Sequence, residues 1–135
     1  MVSQTDPCLE EPDPGIERTA SAIVEWLVGA PGVDATVPVE VAIGGLGGWM
    51  VDIAMDPGWR TSCPFSDGEP FRALFTDALF GEGFHLGLES DMRMRIWLLA
   101  LPDGRALLVD VEGDASTYAA IVDEATAIVE SFEFK

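Results

Sequence analysis

Basic residues are scarce in this sequence. Its 135 residues include seven Lys and Arg against 24 Asp and Glu, so the formal net charge is −17 at pH 7. Nucleic acids and anionic membranes bind through basic patches, and we therefore expect neither as a partner. The acidity is typical of a well-solvated surface, and it leaves a cation or a basic protein open as a partner.

Long hydrophobic runs are also absent. No apolar stretch approaches the roughly eighteen residues that a membrane-spanning helix needs. The start of the chain lacks the succession of charged, apolar and small residues that marks a secretory leader. We expect no membrane insertion of this segment. Because 48% of the residues are apolar, the chain is predicted to form a packed core instead of remaining disordered.

Cysteine and histidine are too few for most metal sites. The two cysteines and one histidine show no spacing typical of zinc ligands, and we expect no metal and no cofactor. Cys8 and Cys63 lie in polar, proline-containing stretches, where free thiols would be exposed and reactive. We predict a Cys8–Cys63 disulfide, which implies an oxidising compartment. Two unrelated, unpaired thiols are the alternative.

The strongest structural signal is the stretch 91–113. Apolar residues at 92, 94, 96 and 98 alternate with Arg93, Arg95 and Trp97, as in a strand with two distinct faces. Pro102-Asp103-Gly104 has the composition of a tight turn, with Gly supplying a positive φ. An apolar-rich return strand follows at 105–111. The sequence therefore predicts a long β-hairpin here.

Periodicity places the other elements. Helical spacing of apolar residues predicts helices over 16–28 and 118–132. Alternation predicts strands at 37–43, 49–55, 71–75 and 84–89, a short extended piece at 33–36 and a final edge strand at 132–134. The expected fold class is α+β: an antiparallel β-sheet meander of six to seven strands with an N-terminal and a C-terminal helix packed on it. Residues 1–15 are predicted to form an extended N-terminal arm, and residues 16–135 a single α+β domain.

Several of these segments together resemble a known group of proteins. The helix ending in GAPGVDATVPVEVAIGGLGGWMVDIAM, a loop with Trp and Cys, PDGRALLVDV and the closing EATAIVESFEF follow one another in this order. The order resembles extracytoplasmic domains of actinobacteria and related bacteria, over about Cys8 to Phe134. The most specific part is the combination of VPVEVAIGGLGGWMVDI with the terminal IVESFEF. The arrangement also looks like the PsbP-type α/β/α sandwich.

The resemblance implies a location outside the cytoplasm. Members of the group usually follow a leader, a lipoprotein anchor or a single membrane helix, so we expect such an anchor ahead of these residues in the full-length protein. No catalytic residues are established for the group, and none are transferred to this chain. The resemblance thus implies a PsbP-like sandwich, secreted or membrane-anchored in the full-length protein.

A few residue types could carry a binding site. The candidates are Trp59, Arg60, His85, Arg93, Arg95 and Trp97. Arg93 and Arg95 share one strand face and could clamp a carboxylate, although neutralising Asp52, Glu89 or Asp110 across the sheet is the simpler interpretation. The glycine-rich stretch 44–48 lacks the Lys-Ser/Thr ending of a phosphate-binding loop and is predicted to be a turn.

The sequence contains no assembled catalytic set. We therefore expect a non-enzymatic extracytoplasmic binding or interaction domain, with an unknown protein or small molecule as its partner. One alternative is a hydrolytic enzyme that uses acidic residues of the sheet, with Asp52, Asp110 and Arg95 as its site. Another is a structural spacer domain of a surface protein.

Overall fold

A computed structural model describes Cys8, residues 14–76 and residues 85–135. The described residues form two helices and seven strands. In chain order these are α1 (Ala20–Gly29), β1 (Val33–Ala35), β2 (Val39–Ile43), β3 (Leu46–Met55), β4 (Phe71–Thr76), β5 (His85–Glu89), β6 (Met92–Ala100), β7 (Ala106–Asp114) and α2 (Tyr118–Glu130). The predicted α+β class is confirmed. The predicted N-terminal arm lies outside the described residues except for Cys8, Pro14 and Gly15.

Five strands form one antiparallel sheet. Strand β3 pairs with β6, and β6 pairs with β7 at the far edge. The other edge of β3 is shared, because β2 pairs with its first half and β1 with its second half. Strands β4 and β5 form a separate two-stranded sheet. The architecture therefore departs from a simple meander, since the β4–β5 hairpin leaves the sheet and lets β3 pair directly with β6.

Strand β6 divides the molecule into two faces. Its residues Met94, Ile96 and Leu98 pack with α1, β3 and the β4–β5 hairpin, and we call this side the α1 face. Trp97 and Leu99 point the other way and pack with Val129 of α2, on the α2 face. The alternation predicted for this strand is thus used on both sides, and the two helices lie on opposite faces of the sheet.

Helix α1 begins later than predicted. The hydroxyl of Thr19 accepts a hydrogen bond from the Ala22 N–H at 3.3 Å, which caps the first turn. The helix then buries Val24 and Leu27, which lie three residues apart on one stripe. It ends at Gly29, and the Ala30 N–H donates to the Leu27 carbonyl just before Pro31. Residues 16–18 precede the cap and are not helical.

A group of hydrogen bonds to the Asp114 side chain precedes helix α2. The Asp114 carboxylate accepts from the N–H groups of Ser116 and Thr117 at 3.0 and 2.9 Å, just ahead of the helix. These hydrogen bonds lower the pKa of Asp114, with the Ser116 hydroxyl contributing most. The N-cap itself is Thr117, which makes no side-chain capping hydrogen bond. The helix ends at Glu130, with Ser131 as its C-cap.

The predicted edge strand at 132–134 is wrong. The Phe132 N–H still donates to the Val129 carbonyl at 3.1 Å, so the chain leaves the helix through a turn. The rings of Phe132 and Phe134 then pack edge to face, with centroids 6.4 Å apart. Phe134 also lies against Gly44, in the β2–β3 turn. The two aromatic side chains are held by packing at the end of the hairpin and not by strand pairing.

Strand boundaries near the glycines also differ from the prediction. Strand β2 begins only at Val39, after Pro38, and β3 begins already at Leu46 because the turn needs only Gly44 and Gly45. Gly48 is inside β3, where a Cβ would collide with the Leu98 carbonyl oxygen of β6. The central β3–β6 pairing therefore requires glycine at this position.

The β6–β7 hairpin is confirmed. The Gly104 N–H donates to the Leu101 carbonyl at 2.9 Å, and the Leu101 N–H donates to the Arg105 carbonyl at 2.8 Å. Gly104 has φ +88°, the left-handed conformation predicted for it. This turn sets a register in which Trp97 lies opposite Val109.

The predicted Cys8–Cys63 disulfide is confirmed. The Cα atoms of Cys8 and Cys63 are 5.4 Å apart, within the usual range for a disulfide. Cys63 is buried with Phe71 and Ala73 of β4, and Cys8 packs against this small cluster. The bridge joins positions 55 residues apart, and the stretch of chain that it closes contains α1 and strands β1–β3.

We expect the bridge to contribute substantially to stability. Replacing both residues, Cys8→Ala with Cys63→Ala, should lower the free energy of unfolding by about 4 kcal/mol, because closure of a loop this long removes entropy from the unfolded chain. Urea denaturation measures the change. A reductant should destabilise the wild type by a similar amount and leave the double variant unaffected. Equal stability of the oxidised wild type and the variant would contradict the prediction.

Candidate functional site

The six binding candidates do not converge on one place. Arg95 and Trp97 lie on the α2 face, whereas Trp59 packs against the core cluster of the α1 face. Arg60 is exposed and donates to the Pro57 and Trp59 carbonyls of its own loop. His85 pairs with Thr76 at one end of β5, and its side chain lies outside the described part of the chain. These residues therefore do not form a single binding site.

Trp97 is a core residue. Its side chain is 1% exposed and packs with Ile43, Leu99 and Val129 beneath α2. A dissolved ligand cannot reach it, and its role is to anchor α2 to the sheet.

Arg93 is exposed and donates to the carbonyl of Met92 at 3.1 Å.

Arg95 forms the centre of a polar network between β3, β6 and α2. Its guanidinium makes two hydrogen bonds to the Asp52 carboxylate, at 2.7 and 2.8 Å, and a third at 3.1 Å to the Thr126 hydroxyl. The Tyr118 hydroxyl donates to the same carboxylate at 3.2 Å. The interpretation that Arg95 neutralises Asp52 across the sheet is confirmed.

This network shifts the ionisation of its members. The bidentate hydrogen bond to Asp52 raises the pKa of the Arg95 guanidinium. Burial, followed by the nearby Asp52 charge, raises the pKa of Tyr118 to about 12. A tyrosine that stays protonated is a poor general base at neutral pH. The network fastens α2 to the sheet through Thr126 and Tyr118.

The acids proposed for a hydrolytic site lie on opposite faces of the sheet. Asp52 is the register partner of Arg95 and faces α2. Asp110 is the partner of Ile96 and therefore lies on the α1 face. The sheet separates the two carboxylates, so Asp52, Asp110 and Arg95 cannot act together on one bond.

Arg72 is a feature that sequence reasoning missed. Among the described residues it is the only charged side chain that is buried, at 1% exposure. Its guanidinium lies 5.7 Å from the ring centroids of both Trp26 and Trp59, and its Nε donates to the Pro31 carbonyl at 2.7 Å. Cation–π contacts and charge-assisted hydrogen bonds thus hold β4 against the end of α1.

The signal for Arg72 was present in the sequence. An arginine inside the apolar run Phe71–Phe75 must either be exposed to solvent or find hydrogen-bonding and charge-stabilising partners in the core. Its aromatic partners come from positions far away in the chain, so the partners were not predictable. Arg72 and Trp26 are buried, so the cluster acts as a structural link between β4 and α1.

Strand β7 carries a row of acids on the α1 face. Burial raises the pKa of Asp110. Burial, then the neighbouring charges of Asp110 and Glu89, raises the pKa of Glu112. The ionised carboxylates are therefore held at a free-energy cost in the folded protein, although both residues are on the surface.

We expect neutral isosteres at this edge to stabilise the protein at pH 7. A raised pKa means that the folded state favours the protonated acid, which adds to the free energy of unfolding. This added stability is complete below the ordinary pKa values of 3.8 and 4.5, and it is lost as the pH rises through the raised values. Asp110→Asn with Glu112→Gln should raise Tm at pH 7 by roughly 2 °C. The difference from the wild type should vanish as the pH falls below the ordinary values.

Thermal unfolding followed at several pH values tests this expectation. The control is Asp123→Asn with Glu124→Gln on the exposed side of α2. It changes the net charge of −17 by the same amount, through two other carboxylates. The control should change Tm less than the edge variant does at pH 7. A wild type that is more stable than the edge variant at neutral pH would contradict the prediction.

An open groove of about 750 Å³ lies on the α1 face beside the start of α1. Ala42, Gly47 and Ala100 form the floor of the groove, and their small or absent side chains leave open space above the sheet. Trp49, whose side chain is only partly buried, stands beside this floor with Glu40 as its register partner. The full lining consists of Thr19, Ala20, Ser21, Glu40, Val41, Ala42, Gly47, Gly48, Trp49, Ala100 and Gly104.

The groove combines three kinds of contact. Trp49 offers an aromatic surface, Glu40 a negative charge, and the hydroxyls of Thr19 and Ser21 hydrogen-bonding groups. Its volume lies within the general range of small-molecule sites, about 300–1,000 Å³. A second groove of about 430 Å³ runs along α1, but the Trp26 that lines it is buried and offers little surface.

The described part of the chain contains no group of three or more His, Cys, Asp or Glu side chains placed to hold a metal ion. Within the same part, neither helix has the length and apolar character needed to cross a membrane.

Comparison with known proteins adds no relative. No protein-family model, no curated protein and no solved structure matches the chain.

Proposed function

We propose that this chain is a non-enzymatic binding domain that operates outside the cytoplasm. The observation that carries the proposal is the open groove of about 750 Å³ beside Trp49, which combines aromatic, acidic and hydroxyl groups. A groove with a partly exposed tryptophan and a low floor is suited to holding a ligand against the indole ring.

The charge of the site narrows the ligand class. Glu40 is the acidic residue of the groove, and the whole chain has a formal net charge of −17. An anionic ligand would be repelled, whereas a neutral or cationic group can lie over the indole face of Trp49. The ligand is therefore a neutral or positively charged molecule, or such a group on a partner protein.

The disulfide supports the proposed compartment. Disulfides persist mainly in oxidising environments, and Cys8 and Cys63 form such a bond. The resemblance to anchored bacterial extracytoplasmic domains and to the PsbP-type sandwich points the same way. The position of Asp52 and Asp110 on opposite faces favours binding over the hydrolytic alternative.

Two aromatic probes of opposite charge test the groove. In a two-dimensional NMR titration, benzylammonium should shift the Trp49 indole signal and the amides of Gly47 and Gly48, with a dissociation constant on the order of millimolar. Benzoate, which has the same ring and a negative charge, should bind more weakly. Shifts spread evenly over the surface would refute a binding site and would favour the structural-spacer alternative.

A matched pair of variants makes the titration specific. Ala42→Trp fills the floor of the groove and should abolish the shifts, because Ala42 is part of the lining. Ala127→Trp adds the same side chain at an exposed position of α2 and should leave them unchanged. Loss of binding in both variants, or in neither, would contradict a site at Trp49.

The compartment is tested by fractionation of the native host cells. We expect the protein in the fraction outside the cytoplasmic membrane, with no thiol available to an alkylating reagent under denaturing conditions. Recovery in the cytoplasmic fraction with two free thiols would refute the proposed location.

A further inference from the structure

The outer side of strand β7 carries backbone groups without strand partners. In the described part of the chain, β7 is the last strand of the five-stranded sheet and pairs with β6 alone. The Ala106 N–H points away from β6, since it donates to the Arg18 carbonyl at 3.1 Å. Because successive residues of a strand direct their backbone groups to alternate sides, those of Leu108, Asp110 and Glu112 also point outward.

Within residues 14–76 and 85–135, these outward groups are open to pairing. None of Leu108, Asp110 and Glu112 has a backbone hydrogen bond on its outer side within the described residues. An extended edge with free N–H and C=O groups can accept a further strand, and natural proteins use such edges to bind peptide segments. The available edge runs from Leu108 to Glu112, since the Ala106 N–H is bonded to Arg18 and the Asp114 carbonyl accepts from the Thr117 N–H.

Side chains on the two faces of this edge specify what can pair with it. Asp110 and Glu112 project to the α1 face, near Glu89 of β5. Val109 and Val111 project to the α2 face and are only partly buried. A strand that matches both faces must alternate positively charged and apolar residues.

A second copy of this chain is a poor occupant. Antiparallel pairing of two β7 edges would bring the Asp110 and Glu112 carboxylates of both copies close together, and like charges across a strand pair are destabilising. Each copy also has a net charge of −17, which opposes association. A positively charged segment, in contrast, has the opposite charge to the acidic edge and would be attracted to it from a distance.

We propose that the β7 edge binds an extended segment of a partner protein, which adds as a strand antiparallel to β7 and carries Lys or Arg at every second position. The paired strand places its basic side chains over Asp110 and Glu112 and its apolar side chains beside Val109 and Val111. This surface is separate from the groove at Trp49, and the inference does not depend on that groove binding a ligand.

A short synthetic peptide that alternates lysine and valine is the probe. We expect its binding to be measurable by calorimetry at low ionic strength and to weaken as salt is added. On binding, hydrogen exchange at the amides of Leu108, Asp110 and Glu112 should slow, because these N–H groups become bonded to the new strand. Binding without protection of these amides would overturn the proposal.

N-methylated peptides separate strand pairing from simple charge attraction. In an antiparallel addition the residues opposite Asp110 and Glu112 are lysines, whose N–H groups point to β7. Peptides methylated on the lysine amides should therefore lose binding, and peptides methylated on the valine amides should keep it. Equal binding of the two peptides would show attraction by charge alone and would overturn the proposal.

Edge variants complete the test. Asp110→Asn with Glu112→Gln should weaken binding of the unmodified peptide by about tenfold, since two favourable charge contacts are removed. Asp123→Asn with Glu124→Gln removes the same charge from α2 and should weaken it less than about twofold. Equal effects of both variants would overturn the proposed location. If the peptide fails while benzylammonium still binds at Trp49, only the edge inference fails.

Discussion

The burial of β6 on both of its faces is the constraint on which the rest of the structure depends. Met94, Ile96 and Leu98 on one side and Trp97 and Leu99 on the other are at most 1% exposed. A strand of this kind must lie inside a sheet and must be covered twice. The chain meets this requirement with α1 on one face, α2 on the other, and β3 and β7 as neighbours. The β4–β5 hairpin adds further cover on the α1 face.

Local signals were sufficient for the elements but not for their long-range pairing. The Pro102-Asp103-Gly104 turn and the apolar stripe of α2 could be identified because each depends on residues close in sequence. Direct pairing of β3 with β6 across the β4–β5 hairpin could not, since many pairings bury the same alternating residues. The ending Phe132-Glu133-Phe134 has the composition of a strand, but its rings find packing partners at the β2–β3 turn instead.

The candidate site shows the same division. Cross-strand neutralisation of Arg95 was foreseeable from residue type and spacing, and Asp52 provides it. Once the β6–β7 hairpin is assumed, its register places Asp110 on the face opposite to Arg95. Asp110 is therefore also separated from Asp52, the partner of Arg95. Burial of Arg72 between Trp26 and Trp59 needed the tertiary structure, because three distant segments meet there. The groove at Trp49 also joins residues of the start of α1, the β2–β3 hairpin and the β6–β7 hairpin.

The sulfur bridge has a mechanical consequence. Tension applied to the chain ahead of Cys8 passes through the bridge directly to Cys63 and from there to β4. Helix α1 and strands β1–β3 lie between the two cysteines in the chain, and they are therefore outside the path of the load. A pull that would unravel an unbridged chain from its first helix therefore bypasses the parts of the groove that α1, β2 and β3 supply.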